Sequence, residues 1–420
     1  MYSTIIIFLI VIFSMSVIGL RYRVPPFVLL VGGAIVYGVA VGVPTETLFE
    51  EIPSGLAGVF LLLAIPILAG SVMAKYIVEQ GMVQEMLSDI RKLVRKPVVL
   101  SATSAYVLSP PTTCPVTTFM MLAPVVEHIA GEGKRRSILI YALAIGSTLG
   151  AAFIYPTPQN YPLFDILRTP LSPVIFDLVA IPFSIAILVV VIYYFSRRAK
   201  KEEPYEGDVC IPECTEKFHW RAWAPFIAIL VAIPIGWEIL HLQHFGLVQF
   251  IMLAGMITAV IVARPDVRHS GFLIGAKHAG VVIFDVCGAG ALGYVITQST
   301  FSADALHLVG NDLPLLIFPF ILAVLIQTAQ GSRIVTSVVT AQIIAANGLQ
   351  SAYNPLALYL MIIAGACILS FVTDPLFWVV HRITEDNTKT VFKYYTIPLV
   401  LIGLVTLAFA LSINFLFPAV

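Results

Sequence analysis

Apolar positions along this chain show neither the period of a half-buried helix nor that of a strand; they run on in uncharged blocks. A helix needs roughly 20 apolar residues to cross a bilayer, and the blocks have that length. The first half supplies Tyr2–Leu20, Val24–Thr45, Ile52–Ala74, Ser137–Phe164 and Leu178–Ser196. The second supplies Ala222–Leu240, Val248–Ala263, Phe272–Gln298, Pro355–Val380 and Tyr394–Leu416, with a few polar interruptions. The pattern predicts an all-α polytopic membrane protein with about ten transmembrane helices. Pro97–Val126 and Leu313–Ala346 differ, because small polar turns at Ser109 to Pro115 and Thr328 to Ser332 interrupt them near the middle. Two short apolar arms about such a turn predict re-entrant hairpins, at 97–130 and 313–346. Hydropathy alone leaves two full spans joined by a tight turn as the alternative.

Composition agrees: 59% of residues are hydrophobic and 11% charged. Soluble domains are about a quarter charged, so an ordinary water-soluble enzyme is excluded. With 24 Lys+Arg against 24 Asp+Glu, no net charge marks a nucleic-acid partner. Of those 24 basic residues, all but Arg168 and Arg333 fall on one side of the predicted spans. The positive-inside rule makes that side cytosolic, placing both termini outside a cell (inner or plasma) membrane. The first run lacks a preceding basic residue and is followed by Arg21 and Arg23, the reverse of a cleavable signal, so it is expected to be retained. Cys210, Cys214 and His219 lie in an acidic linker without a fourth ligand, and no metal or cofactor is expected. Glu238, His241 and His244 read as a wetted rim at a span's outer end. There is no Walker A sequence, and Gly288 to Gly293 reads as a close-packing surface inside a membrane helix.

Adding 218 to a first-half position reaches the same residue type at Gly70/Gly288, Tyr76/Tyr294, Gln80/Gln298, Thr118/Thr336, Ala123/Ala341, Tyr141/Tyr359 and Phe153/Phe371. One offset spanning hairpin and following helix predicts a duplication: copies at 1–198 and 222–420, with a cytoplasmic linker at 199–221. An odd number of predicted crossings separates the two starts, so the second copy enters the membrane from the opposite side. Inverted-topology repeats are the architecture of secondary transporters, whose substrate sites lie near the midplane where broken helices meet.

Each copy adds a proline-broken helix to its hairpin. The breaks fall at Tyr155 to Asn160 within 137–164 and at Phe371 to Pro375 within 355–380, with Asp374 aligned on Pro156. Freed amides and half-helix N-termini attract anions. Candidate substrate contacts at the tips are Thr112, Thr113, Thr117, Gly331 and Ser332. Such residues also pack ordinary membrane helices, but two tips and two breaks together point to a binding site. Arg333 needs a counter-charge at that depth: a bound carboxylate, Asp374, or an escape to the outer surface. Asp374 first and Asp285 second are the candidate proton carriers, with a structural pairing of Asp285 to nearby His278 as the alternative.

These segments resemble the gluconate:proton symporter (GntP) family of the ion-transporter superfamily, from Arg21–Phe27 to the last span. The most specific parts are Ala329–Ser332, Val372–Asp374 followed by Phe377 and Trp378, and Pro156–Pro158; Leu122–Pro124 and Gly288–Gly290 add support. The resemblance implies proton-driven uptake of sugar acids or related hydroxycarboxylates. It also implies a homodimer whose protomers each hold a scaffold and a transport domain moving as an elevator. By matching position it gives a substrate role to Thr157, Gly331, Ser332, Thr373 and Asp374. Two departures stand out. Cys114 and Pro115 occupy the first tip where the family often has an acid, and Arg333 replaces a usually small residue. Both changes imply a more highly charged substrate than gluconate or a different coupling ion.

The expected function is thus secondary active transport of a small organic anion, most simply with protons. The alternatives are a sodium-coupled di- or tricarboxylate carrier, an intramembrane hydrolase pairing Asp285 with Asp374, and an anion sensor.

Overall fold

The computed structural model describes residues 3–22, 24–93, 96–130, 134–200, 218–242, 244–301, 304, 315–368, 371 and 373–418. Among these there is no strand. Prolines set many boundaries. Pro26, Pro97, Pro115, Pro173, Pro265, Pro355 and Pro375 each open a helix, where a missing N–H leaves no intrahelical bond unmade and the fixed φ suits the first turn.

The first half runs α1 (Ser3–Tyr22), α2 (Pro26–Ala40), α3 (Thr45–Glu79), α4 (Met82–Leu93), hairpin arms α5 (Pro97–Thr112) and α6 (Pro115–Ala130), α7 (Lys134–Phe153), the short α8 (Tyr161–Leu167) and α9 (Pro173–Ala199). The second half runs α10 (Trp220–Ile239), α11 (His244–Val262), α12 (Pro265–Thr297), hairpin arms α13 (Phe318–Gln330) and α14 (Arg333–Ala346), α15 (Pro355–Cys367), α16 (Pro375–Thr384) and α17 (Thr388–Leu416). Seven of these helices, α3, α7, α9, α10, α11, α12 and α17, are long and apolar enough to cross a membrane, so the chain is a multi-pass membrane protein. The two predicted broken helices are α7 with α8 and α15 with α16. Cys210 and Cys214, with most of the linker, lie outside the described residues.

Helix boundaries in the two halves keep the sequence offset. Pro115 and Arg333 open α6 and α14, and the turn residues Thr113 and Gly331 are both left-handed, with φ of 60° and 67°. The longest helices, α3 and α12, pack antiparallel. A Cβ on Gly55 would lie 2.6 Å from the Gly290 carbonyl oxygen, and one on Gly290 2.4 Å from that of Gly55. Only bare backbone fits there, the small-residue packing that membrane helices use. Farther along, Tyr76 donates to the Arg268 carbonyl at 2.5 Å, and Gln80 accepts from the Arg264 amide at 3.0 Å.

Each half also clasps the first helix of the other. Asp89 of α4 accepts from the His219 amide at 2.9 Å and Trp223 Nε1 at 3.1 Å, where α10 begins. Asp304 accepts from the Thr4 hydroxyl at 2.6 Å, where α1 begins. The Thr4 amide also reaches Asp304 at 3.4 Å, so each carboxylate takes, besides a side-chain donor, a backbone amide at a helix start that has no intrahelical acceptor.

Candidate functional site at the helix breaks

Breaking a helix inside a membrane frees amides and carbonyls that must find partners in protein or in a wet cavity. The break after α7 is satisfied locally. Thr157 donates its hydroxyl to the Ala151 carbonyl at 2.6 Å and its amide to Asn160 Oδ1 at 3.0 Å. Asn160 Nδ2 reaches the Ile154 carbonyl at 2.8 Å, and the Tyr155 amide donates to Asp177 Oδ1 of α9 at 2.8 Å.

The break before α16 is built around charge. Asp374 caps α16, its Oδ1 accepting from the Leu376 amide at 2.9 Å. Its Oδ2 accepts from Arg333 Nη2 at 3.0 Å and from the Tyr395 hydroxyl at 2.8 Å. The Arg333 and Asp374 side chains are only 5% and 1% exposed, so this ion pair is fully desolvated. Tyr395 comes from a π-helical turn, Phe392–Thr396, in α17. The second hairpin tip meets the same break. A Cβ on Gly331 would stand 2.0 Å from the Thr373 carbonyl oxygen. Thr373 donates its hydroxyl to the Thr328 carbonyl at 3.0 Å, and Ser332 caps α14 by accepting from the Val335 amide.

The first tip has other neighbours. Thr113 lies over the bare backbone of α3, where a Cβ on Gly70 would meet its hydroxyl at 2.4 Å. Thr117 Oγ1 is 3.1 Å from His278 Nε2 on α12. Thr112 bonds back to the Leu108 carbonyl at 2.9 Å and to the Thr118 hydroxyl.

The structure therefore gathers Gly331, Ser332, Arg333, Thr373 and Asp374 at one junction. It sets Thr112, Thr113 and Thr117 in or beside the first tip and Thr157 in the other break. Of the three possibilities for Arg333, pairing with Asp374 is the one in place. The pairing of Asp285 with His278 is corrected: Asp285 Oδ1 accepts from the Phe27 amide at 3.1 Å, and His278 turns to Thr117. The first turn of α2 has amides without intrahelical acceptors, and a carboxylate there is a better partner than a neutral ring.

Several residues had no sequence signal of their own. Tyr395 stands 218 positions after Asp177, and both reach back from a following helix to hold a break. Gln159 Nε2, Gln327 Nε2, Ser337 Oγ and Thr340 Oγ1 are buried and meet no hydrogen-bond partner among the described residues. An unsatisfied buried donor costs about 1–3 kcal/mol, which a polar solute would recover. Among the described residues no group of three or more His, Cys, Asp or Glu is placed to hold a metal.

The GntP family permease profile matches residues 3–235 and 266–416. This chain belongs to the GntP permease family. An uncharacterized permease of Haemophilus influenzae is 23% identical over 428 residues, covering 90% of this chain and 85% of that protein. The high-affinity gluconate transporter of Escherichia coli is 24% identical over 412 residues, covering 90% of this chain and 91% of its own. Among solved structures, MtrF of Neisseria gonorrhoeae, from a class of antimetabolite efflux pumps, superposes with a TM-score of 0.61 at 15% identity. The match covers 88% of this GntP member and 84% of MtrF. At that identity the likeness concerns the fold alone.

Proposed function

We propose that this GntP member is a secondary active transporter of a small organic anion, a gluconate-like sugar acid or another hydroxycarboxylate, coupled to protons. The observation carrying this reading is the buried Arg333–Asp374 pair where the second hairpin tip meets a helix break. Removing one charge from such a pair leaves the other uncompensated, at a cost of about 3–5 kcal/mol. Protonation of Asp374 would do that chemically, leaving Arg333 a cation in need of an anion. A substrate carboxylate then takes the place of the Asp374 carboxylate on the guanidinium, in the bidentate geometry arginine favours. One proton and one carboxylate enter together, and the net charge of the site is unchanged. Asp285, already bonded to the Phe27 amide, ranks second as a proton carrier.

The inverted repeat and elevator belong to the same proposal. Support comes from the antiparallel crossing of α3 and α12 and the common offset of helix starts. The arms of the second hairpin have 13 and 14 residues, about 20 Å of helix against a ~30 Å hydrocarbon core, which favours a re-entrant hairpin. The hydrolase reading requires Asp285 and Asp374 to converge, yet each is committed to a different partner.

Uptake into proteoliposomes under an imposed pH gradient, then under an imposed sodium gradient, tests the coupling. Stimulation by the pH gradient is expected. Stimulation by sodium alone would reject proton coupling and favour the sodium-coupled di- or tricarboxylate carrier. Ligand-induced stabilisation without counterflow would instead identify a sensor.

A further inference from the structure

Away from the breaks, α9 and α17 lie side by side with a groove of about 420 Å³ between them. Its walls are apolar, with Ile187, Val191, Leu401 and Val405 among them, and Val190 and Leu401 are 66% and 57% exposed on membrane-spanning helices. A purely apolar groove would accept any acyl chain, but this one is basic at one end. Lys393 lines the groove, and an adjoining hollow that shares Val190 and Tyr194 is lined by Arg197 and Arg198. The three cations lie over aromatic rings. Arg197 is 4.5 Å from the Tyr193 centroid, Arg198 is 4.8 Å from both Tyr194 and Tyr394, and Lys393 is 5.6 Å from Tyr394. Arg198 is also tied to the Tyr394 hydroxyl at 2.7 Å. Among the described residues none of the three is in an ion pair.

We propose that this groove is a binding site for an anionic phospholipid, its acyl chain between α9 and α17 and its phosphate against Arg197 and Lys393. The chemistry follows from the two ends. The apolar length requires a chain and excludes a soluble anion. These cations, in no ion pair among the described residues and on the side predicted to hold nearly all the basic residues, select a negative headgroup over a zwitterionic one. Arg198, held by Tyr394, fixes the back of the headgroup pocket, while exposed Arg197 and Lys393 close on the phosphate. Tyrosines at this level form the amphipathic belt that sits among headgroups.

The test is native mass spectrometry of the purified full chain with phosphatidylglycerol and phosphatidylethanolamine of identical acyl chains. Retention of phosphatidylglycerol over phosphatidylethanolamine by about fivefold or more is expected, since one cation near an anionic headgroup supplies roughly that factor. The double variant Arg197→Gln/Lys393→Gln should bring the ratio close to one while total lipid bound persists. Leu401→Trp, which fills the groove, should lower retention of both lipids. Unchanged thermal stability of each variant shows that folding is intact. Equal retention of both lipids by the intact chain overturns the proposal. Displacement of the lipid by glycerol phosphate alone also overturns it, by revealing a site for small anions. So does a dimer that Leu401→Trp dissociates without any lipid preference, because the groove would then be covered by a second copy.

Discussion

Arg333 and Asp374 are each other's solvent. Two formal charges that are nearly inaccessible to water persist only because each supplies what hydration would have given the other, with the Tyr395 hydroxyl and the Leu376 amide completing the carboxylate. Arg333→Met and Asp374→Leu should therefore each destabilise the protein by about 3–5 kcal/mol, read as a loss of thermal stability in detergent. The double variant should recover most of that loss, since a well-packed apolar pair of similar volume often replaces a buried ion pair at no cost. Transport should be absent from all three. A double variant as unstable as the singles would show that the pair is not the source of the loss. Asp374→Asn separates coupling from binding: it keeps the shape and leaves Arg333 permanently unneutralised. Anion exchange between the two sides should persist in this variant, while acceleration of uptake by a pH gradient disappears. Retained pH-driven accumulation would move the proton to another group, with Asp285 next in line.

At the scale of elements, the tip and the break are a single backbone joint. Gly331 and Gly348 share a left-handed conformation, with φ of 67° and 61°, but their surroundings differ. A side chain at Gly348 would meet nothing within 4 Å, whereas one at Gly331 would run into the Thr373 carbonyl and the Asp374 amide. Asparagine, which tolerates this conformation, should be accepted at Gly348 with a cost below about 1 kcal/mol. Gly331→Asn should part the tip from the break and abolish transport. Comparable uptake by the two variants would mean that this joint has no part in the cycle. Joints of this kind were legible in the sequence wherever proline or glycine made them. The breaks near Pro156 and Pro375 and the turn at Gly331 follow directly from residues that cannot continue a helix. The turn that presents Tyr395 was not legible. A π-helical turn changes one hydrogen-bond register and leaves composition and hydropathy untouched. The alternative pairing of Asp285 with His278 failed for a related reason: the partner of Asp285 is a backbone amide of α2, and hydropathy carries no information about which amides a helix leaves open.

For the whole molecule, the offset of 218 turns contacts into pairs of contacts. Thr117 on the first hairpin touches His278 on α12, and their equivalents in the other half are Val335 and Phe60. If the halves are inverted copies, exchanging their conformations produces the opposite-facing state of the carrier, in which the first contact opens and the second forms. A cross-link between Thr117→Cys and His278→Cys should then form in the state described and stop transport, and reduction should restore it. A cross-link between Phe60→Cys and Val335→Cys should form only when the cycle turns over, at a yield that rises with substrate and a pH gradient. The two yields should move in opposite directions, since one rigid unit cannot rest in both places. Were both cross-links to form together in resting protein, the two tips would move independently. The antiparallel helices α3 and α12 would then be a packing device rather than the fixed frame along which a substrate-laden domain travels.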